Sequence, residues 1–224
     1  VVSYQTAWLK YYYPVEFMAA LMTSVIDNPG KVSEYIYACR QMGIQILPPD
    51  INRGVGRFSV DGGNIRYGLA AIKSIGRSLI DSIIEERNAG GEFRTLKDFI
   101  ERMSGKEINK RTIENFIKSG AFDSLGGTRK QFMVVYIQVL DQVSREKKYS
   151  MSGQLSLFDI VDEGQKEEFD IPMPDVGEYE KETRLNFEKE VIGVYLTGHP
   201  MEDYEEKWKK GVSRTTLDFQ IDDE

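Results

Sequence analysis

Apolar residues recur every three or four positions through most of this chain, and glycine or proline interrupts them at short intervals. A 3.6-residue period places such residues on one helix face, so the pattern predicts short amphipathic helices joined by tight turns. Trp8, Leu9, Tyr12, Tyr13, Phe17, Leu21, Met22 and Val25 predict helix over 5–26, with Pro14 interrupting it or opening a second helix at its first turn. Asn28-Pro29-Gly30 is read as a break. Val32, Tyr35, Ile36, Cys39 and Met42 then form one helical face, closed by Gly43. Ile44 to Leu47 reads as a short strand. Alternation over 57–60 and 64–67, around Asp61-Gly62-Gly63, predicts a small hairpin.

Beyond Leu69 the helices are punctuated by glycine. Leu79, Ile80, Ile83 and Ile84 mark one. Thr95 is placed to cap the next, with Asp98 at the capping-box position and Leu96, Phe99, Ile100 and Met103 inward. Asn109 is placed to cap a helix carrying Ile113, Phe116 and Ile117, with Gly120 at its end. Thr128 starts a long helix lined by Phe132, Val135, Val139 and Val143. Residues 150–177 read as loop. A helix is expected from Tyr179 to about Tyr195, ended by Gly198-His199-Pro200, and a short one from Tyr204 to Trp208. The fold class is mainly α, with one small β-hairpin.

Composition narrows the function classes. With 41% apolar and 29% charged residues the chain reads as a soluble protein, and no apolar run approaches the ~20 residues that cross a bilayer. The chain opens at Val1 without an initiator Met or a secretory leader, and so reads as a piece of something longer. A single Cys39 precludes an internal disulfide and fits a reducing compartment, and one histidine, His199, argues against a zinc site or catalytic triad. The net charge of −7 is unevenly divided. Residues 1–61 balance, 62–131 carry 13 basic against nine acidic side chains, and 150–224 carry eight against 20. Only the basic middle is suited to phosphates.

Two motifs lie in or beside that middle. Ile72-Lys73-Ser74-Ile75-Gly76-Arg77-Ser78-Leu79-Ile80 resembles the second half of a helix-hairpin-helix, with Ser74 where the first glycine is usual and Ile80 in place of a smaller residue. Glycine serves there because main-chain N–H groups must approach a phosphate with no Cβ between, next to the positive end of a helix. A second unit comprises a helix from Asn109 to Ser119, the hairpin Gly120-Ala121-Phe122-Asp123 and the helix beginning at Thr128. The candidate DNA contacts are Lys73, Ser74, Ile75, Gly76 and Arg77 in the first unit. Those in the second are Lys110, Arg111, Lys118, Ser119, Gly120, Arg129 and Lys130. A pair of such units tracks duplex backbone without reading bases. Neutralising about 3 phosphates gives a salt slope near −3. The same residues also fit a plain helical core with solvated charges.

The other motif is Gln154-Leu155-Ser156-Leu157-Phe158, apolar side chains in a polar tract that is followed by acids from Asp159 to Asp170. Such side chains are buried by a partner or by an edge of their own domain. As a docking peptide, each of the two leucines and the phenylalanine contributes roughly 1.5–3 kcal/mol on burial. Ordering the peptide offsets much of this, which leaves roughly micromolar affinity. The peptide resembles the one by which bacterial replication proteins dock on the ring-shaped sliding clamp. Gly54-x-Gly56 lacks the lysine and following helix of a phosphate loop. Tyr11-Tyr12-Tyr13 beside Lys10 fits base stacking or packing, and the acidic runs read as solvated faces.

Taken together, the segments resemble the alpha subunit of bacterial DNA polymerase III nearly end to end. The similar stretches are Val2 to Lys10, Tyr13 to Ala20, Ile46-Leu47-Pro48-Pro49-Asp50-Ile51-Asn52, Tyr67 to Arg87, Asn109 to Gly126, Gly153 to Phe158 and Gly193 to Pro200. The resemblance implies the end of a fingers domain at 1–61, a tandem helix-hairpin-helix domain at 62–149, a clamp-binding loop at 150–177, and at 178–224 a helical lead into an oligonucleotide-binding barrel that is absent. It implies double-stranded DNA, the sliding clamp (beta subunit) and other holoenzyme subunits as partners, in the bacterial cytoplasm and without a membrane. The family's magnesium-holding catalytic aspartates lie in a palm upstream of Val1. No cofactor and no polymerase activity are therefore expected of this piece. A free-standing helical adaptor that binds a protein and not DNA is the other reading.

Overall fold

Proline, lacking an N–H, fits only the first turn of a helix. Accordingly helix α1 spans Val2–Tyr12 and α2 spans Pro14–Ser24, with Pro14 at the first position. The structure is a computed structural model that describes residues 1–151 and 171–212. The apolar face expected over 5–26 is buried only in α2, through Met18, Ala19 and Met22, and α1 has no buried residue. Trp8 instead stacks on Tyr12 and Tyr13 at the surface, with ring centroids 4.9 and 5.7 Å apart. Asn28-Pro29-Gly30, read as a break, is the start of α3 (Pro29–Gln41), where Asn28 Oδ1 accepts the Lys31 N–H at 3.1 Å. Val32, Ile36 and Cys39 face inward, and Met42 stays at the surface.

Strands β1 (Ile46–Leu47), β2 (Ser59–Asp61) and β3 (Asn64–Arg66) form one sheet in the order β1-β3-β2. Gly62 and Gly63 both take positive φ, 59° and 80°, which suits a two-residue hairpin turn. The hairpin pairs Val60 with Ile65. On its other side β3 pairs in parallel with β1, Ile46 opposite Ile65, a contact that local pattern does not encode.

Five further helices follow: α4 (Arg77–Gly90), α5 (Leu96–Arg102), α6 (Lys110–Ser119), α7 (Arg129–Met151) and α8 (Lys181–Val191). A short α9 (Glu205–Gly211) closes the described chain. The predicted caps are in place: Thr95 Oγ1 accepts the Asp98 N–H at 3.0 Å, and Asn109 Oδ1 accepts the Thr112 N–H at 3.0 Å. Helix α8 ends earlier than expected. Gly193, at φ 89°, turns the chain at once, and Ile192 and Gly193 donate back to the Glu188 carbonyl.

Two apolar cores result. The larger lies among α4 to α7 and centres on Phe93, Phe99, Phe116, Phe122 and Phe132, which meet edge to face or tilted. The other gathers α2, α3 and the sheet around Met22, Cys39 and Ile65, and it takes in Val191, Ile192, Val194 and Leu196 from far along the chain.

Candidate nucleic-acid interface

The first hairpin runs from a 3-10 turn at Leu69–Ala71 to Gly76 at the start of α4. Ser74 sits at φ 64°, the left-handed region, so it takes up the backbone conformation that glycine favours at this place. Neighbouring elements hold the loop in that shape. The Lys73 N–H donates to the Val191 carbonyl at 2.9 Å, and the Lys73 carbonyl accepts from Asn115 Nδ2 at 2.7 Å. Asn115 therefore ties the first helix of the second unit to the hairpin of the first. Ile75 and Ile80 point into the core. The Ile80 methyl group lies beside Gly56, 3.6 Å from where a Cβ would stand, which is ordinary van der Waals contact.

Lys73, Ser74, Gly76 and Arg77 are exposed around the beginning of α4. Gly76 offers no side-chain cap, and the first N–H groups of a helix have no partner within it. One acid borders this opening: Glu107 Oε2 accepts from the Ser78 hydroxyl at 2.6 Å. Lys110 and Arg111, at the start of α6, are exposed as well.

In the second unit the structure takes four of the expected contacts, Arg129, Ser119, Lys118 and Gly120, away from open surface. Arg129 is only 2% exposed. Its guanidinium donates to Asp123 at 2.9 Å, to the Lys118 carbonyl at 3.3 Å and to Glu188 at 3.3 Å. Burial works against its charge, but Asp123 and Glu188 outweigh it and raise the pKa, so the cation is fixed inside. Ser119 is fully buried and bonds the Phe116 carbonyl. Lys118 is matched by Glu114 at 2.9 Å and Glu190 at 2.8 Å. Burial opposes the Lys118 charge, and these two carboxylates reverse the effect and raise its pKa. Gly120 is buried at φ 82°, and Lys130 lies half-buried with its Nζ 6.0 Å over the Tyr179 ring.

Glu107, Asn115, Glu178, Glu188 and Glu190 take part in this region without having been singled out in the sequence. Glu188 alone carried a signal, a charge on the apolar face with Leu185, Val191 and Ile192. Gln154, Leu155, Ser156, Leu157 and Phe158 lie outside the described residues. Among the described residues no three His, Cys, Asp or Glu side chains gather as for a metal. Burial pushes the Cys39 thiol up to about 11, away from nucleophilic use at neutral pH. No helix among the described residues is long and apolar enough to cross a membrane.

Residues 43–132 match a family model described as a helix-hairpin-helix motif. The chain is 43% identical over 205 residues to the DNA polymerase III subunit alpha of Vibrio cholerae, covering 91% of this chain and 18% of the relative. The subunit of the same name from Escherichia coli K12 is also 43% identical over 205 residues, and that from Mycobacterium leprae is 41% identical over 201. The chain thus spans less than a fifth of the length of these relatives, 17–18%.

Proposed function

Over nine-tenths of its length this chain is a relative of the DNA polymerase III alpha subunits, matching one segment of them, and from that premise we propose that it grips duplex DNA by the backbone and docks on the sliding clamp. The observation that carries the DNA reading is two sets of exposed cations inside a helix-hairpin-helix match: Lys73, whose ammonium donates to the Glu190 carbonyl at 2.6 Å, and Arg77 beside the uncapped start of α4, and Lys110 and Arg111 at the start of α6. Main-chain N–H groups and a helix dipole favour a phosphate there, and the flanking cations add attraction that does not depend on base sequence.

Gln154 to Phe158 supply the second attachment, with Gln154 as a directional hydrogen-bonding group and Leu157 and Phe158 as apolar anchors. A clamp contact of roughly micromolar strength suffices when the same chain also holds DNA, because linked sites raise effective concentration. The chain would act as a tether within a larger holoenzyme, and nucleotidyl transfer with its magnesium would belong to other segments of such a subunit. No primer extension is expected from this chain alone.

The test is a duplex gel shift over a range of salt, comparing the wild type with a Lys110→Glu/Arg111→Glu variant. Binding should weaken at least ten-fold, and the salt slope should fall from near −3 by about 1–2. Equal binding by both proteins would show that this surface is not the interface. The clamp contact is measured by titration with the ring before and after Gln154→Ala, Leu157→Ala and Phe158→Ala together. Unchanged affinity would remove the docking role.

A further inference from the structure

The two helix-hairpin-helix units present unlike ends to solvent. At the first, a Cβ built on Gly76 would meet nothing nearer than the Glu107 carboxylate at 3.9 Å. The N–H groups of Arg77 and Ser78 have no acceptor among the described residues. At the second, both the glycine that ends α6 and the start of α7 are covered by the chain itself. The space over Gly120 holds the guanidinium of Arg129. The N–H groups of Arg129 and Lys130, which open α7, donate to the two oxygens of Glu178 at 3.0 and 3.2 Å. The Thr128 N–H donates to Gln131 Oε1 at 2.9 Å.

Glu178 does not reach this place alone. The Thr128 hydroxyl donates to the Gly177 carbonyl at 2.6 Å, and Gln131 Nε2 donates to the Pro174 carbonyl at 2.9 Å. Met173 lies against Gly127. Residues 173–178 are thus strapped across the beginning of α7, and an exposed carboxylate is held by two successive main-chain N–H groups where a helix start would take a phosphate oxygen.

Resting on the DNA-binding reading above, we propose that Glu178 is a resident surrogate for a backbone phosphate, which closes the start of α7 to nucleic acid and leaves the first hairpin, together with the cations at the start of α6, as the phosphate contact. A second anion at the start of α7 would have to displace Glu178 or lie beside it, and like charges at ~4 Å repel by ~1 kcal/mol or more even in water-like surroundings. The two hairpins are therefore asymmetric: the first takes a phosphate, and the one before α7 anchors the strap.

The experiment measures duplex affinity by fluorescence anisotropy for the wild type, Arg77→Glu, Lys130→Glu, Glu178→Ala and Asp175→Ala, with main-chain hydrogen exchange at Arg129 and Lys130 followed in parallel. Arg77→Glu should weaken binding at least ten-fold, and Lys130→Glu by less than two-fold. Glu178→Ala should tighten binding about three- to ten-fold and speed exchange at both amides, whereas Asp175→Ala, which removes a nearby exposed acid outside these bonds, should do neither. An equal gain from Asp175→Ala, no gain from Glu178→Ala, or a Lys130→Glu loss matching that of Arg77→Glu would overturn the proposal. Absence of duplex binding by the wild type would instead end the DNA reading itself, and the inference with it, and binding that no variant alters would put the interface on another surface and overturn the inference. Unchanged amide exchange in Glu178→Ala would refute the strap regardless of DNA.

Discussion

Glu188 and Arg129 show how one residue's surroundings decide its role. Glu188 is fully buried and accepts from Leu196 N–H at 3.0 Å, Thr197 N–H at 3.0 Å, the Thr197 hydroxyl at 2.8 Å and Arg129 at 3.3 Å. A buried charge with every acceptor site engaged is tolerated, and the loss of one partner leaves the other uncompensated. Glu188→Ala should therefore cost about 3–5 kcal/mol in urea unfolding. Glu188→Met combined with Arg129→Met should recover part of that loss, because the buried cation, left with Asp123 alone, goes as well. A cost below about 1 kcal/mol for Glu188→Ala would mean that the pair contributes little. In the sequence Arg129 stood beside Lys130 as one more surface cation, and its acidic partners lie at positions 123 and 188. Ser74 was the converse case, an apparent departure from pattern that takes the glycine conformation at φ 64°.

At the scale of elements, the caps were the most legible feature. A cap is a bond between residues three apart, so Thr95 with Asp98 and Asn109 with Thr112 are visible without any tertiary information. Asn109→Ala should lower stability by about 1 kcal/mol and Asn109→Gly by only a few tenths, since glycine also suits the cap backbone. Equal losses, read from thermal unfolding, would place the effect elsewhere than in the cap. Element ends fixed by distant contacts were less legible. Helix α8 stops at Val191 and not near Tyr195, because the Glu188 side chain draws the Leu196 and Thr197 amides back toward the helix. The aromatic residues of α1 have helical spacing but no core to enter, so Trp8 and Tyr12 remain substantially exposed.

For the whole molecule, the decisive feature is that α8 and the segment after it join the two cores. Helix α8 lies along α6, with Lys118 bonded to Glu190, while Val191, Ile192, Val194 and Leu196 pack beside α2, α3 and the sheet. The two cores should therefore unfold together. Cys39 reports on the smaller one, since its thiol is fully buried and shifted up to about 11, so that labelling at pH 8 requires opening. In the wild type the urea curves from Cys39 labelling and from far-ultraviolet dichroism, which is dominated by the helices, should coincide. Ile192→Ala should cost about 2–5 kcal/mol and move the Cys39 curve to lower urea ahead of the helical signal. A shift of both curves together would show that the cores are tied more tightly than by this segment.

By itself the sequence determined the helical class, the caps, the Gly62-Gly63 hairpin, the tight turn at Ser74-Ile75-Gly76 and the similarity to DNA polymerase III subunit alpha. Each rests on residues a few positions apart or on the whole run of similarity. Tertiary structure alone decided that β1 joins β3, that Arg77 faces solvent while Arg129 is sealed inside, and that Glu178 sits on the start of α7. Burial and charge pairing depend on groups brought together from some 50 positions away, as with Arg129 and Glu178, and local periodicity does not encode which of two similar cations meets a carboxylate first.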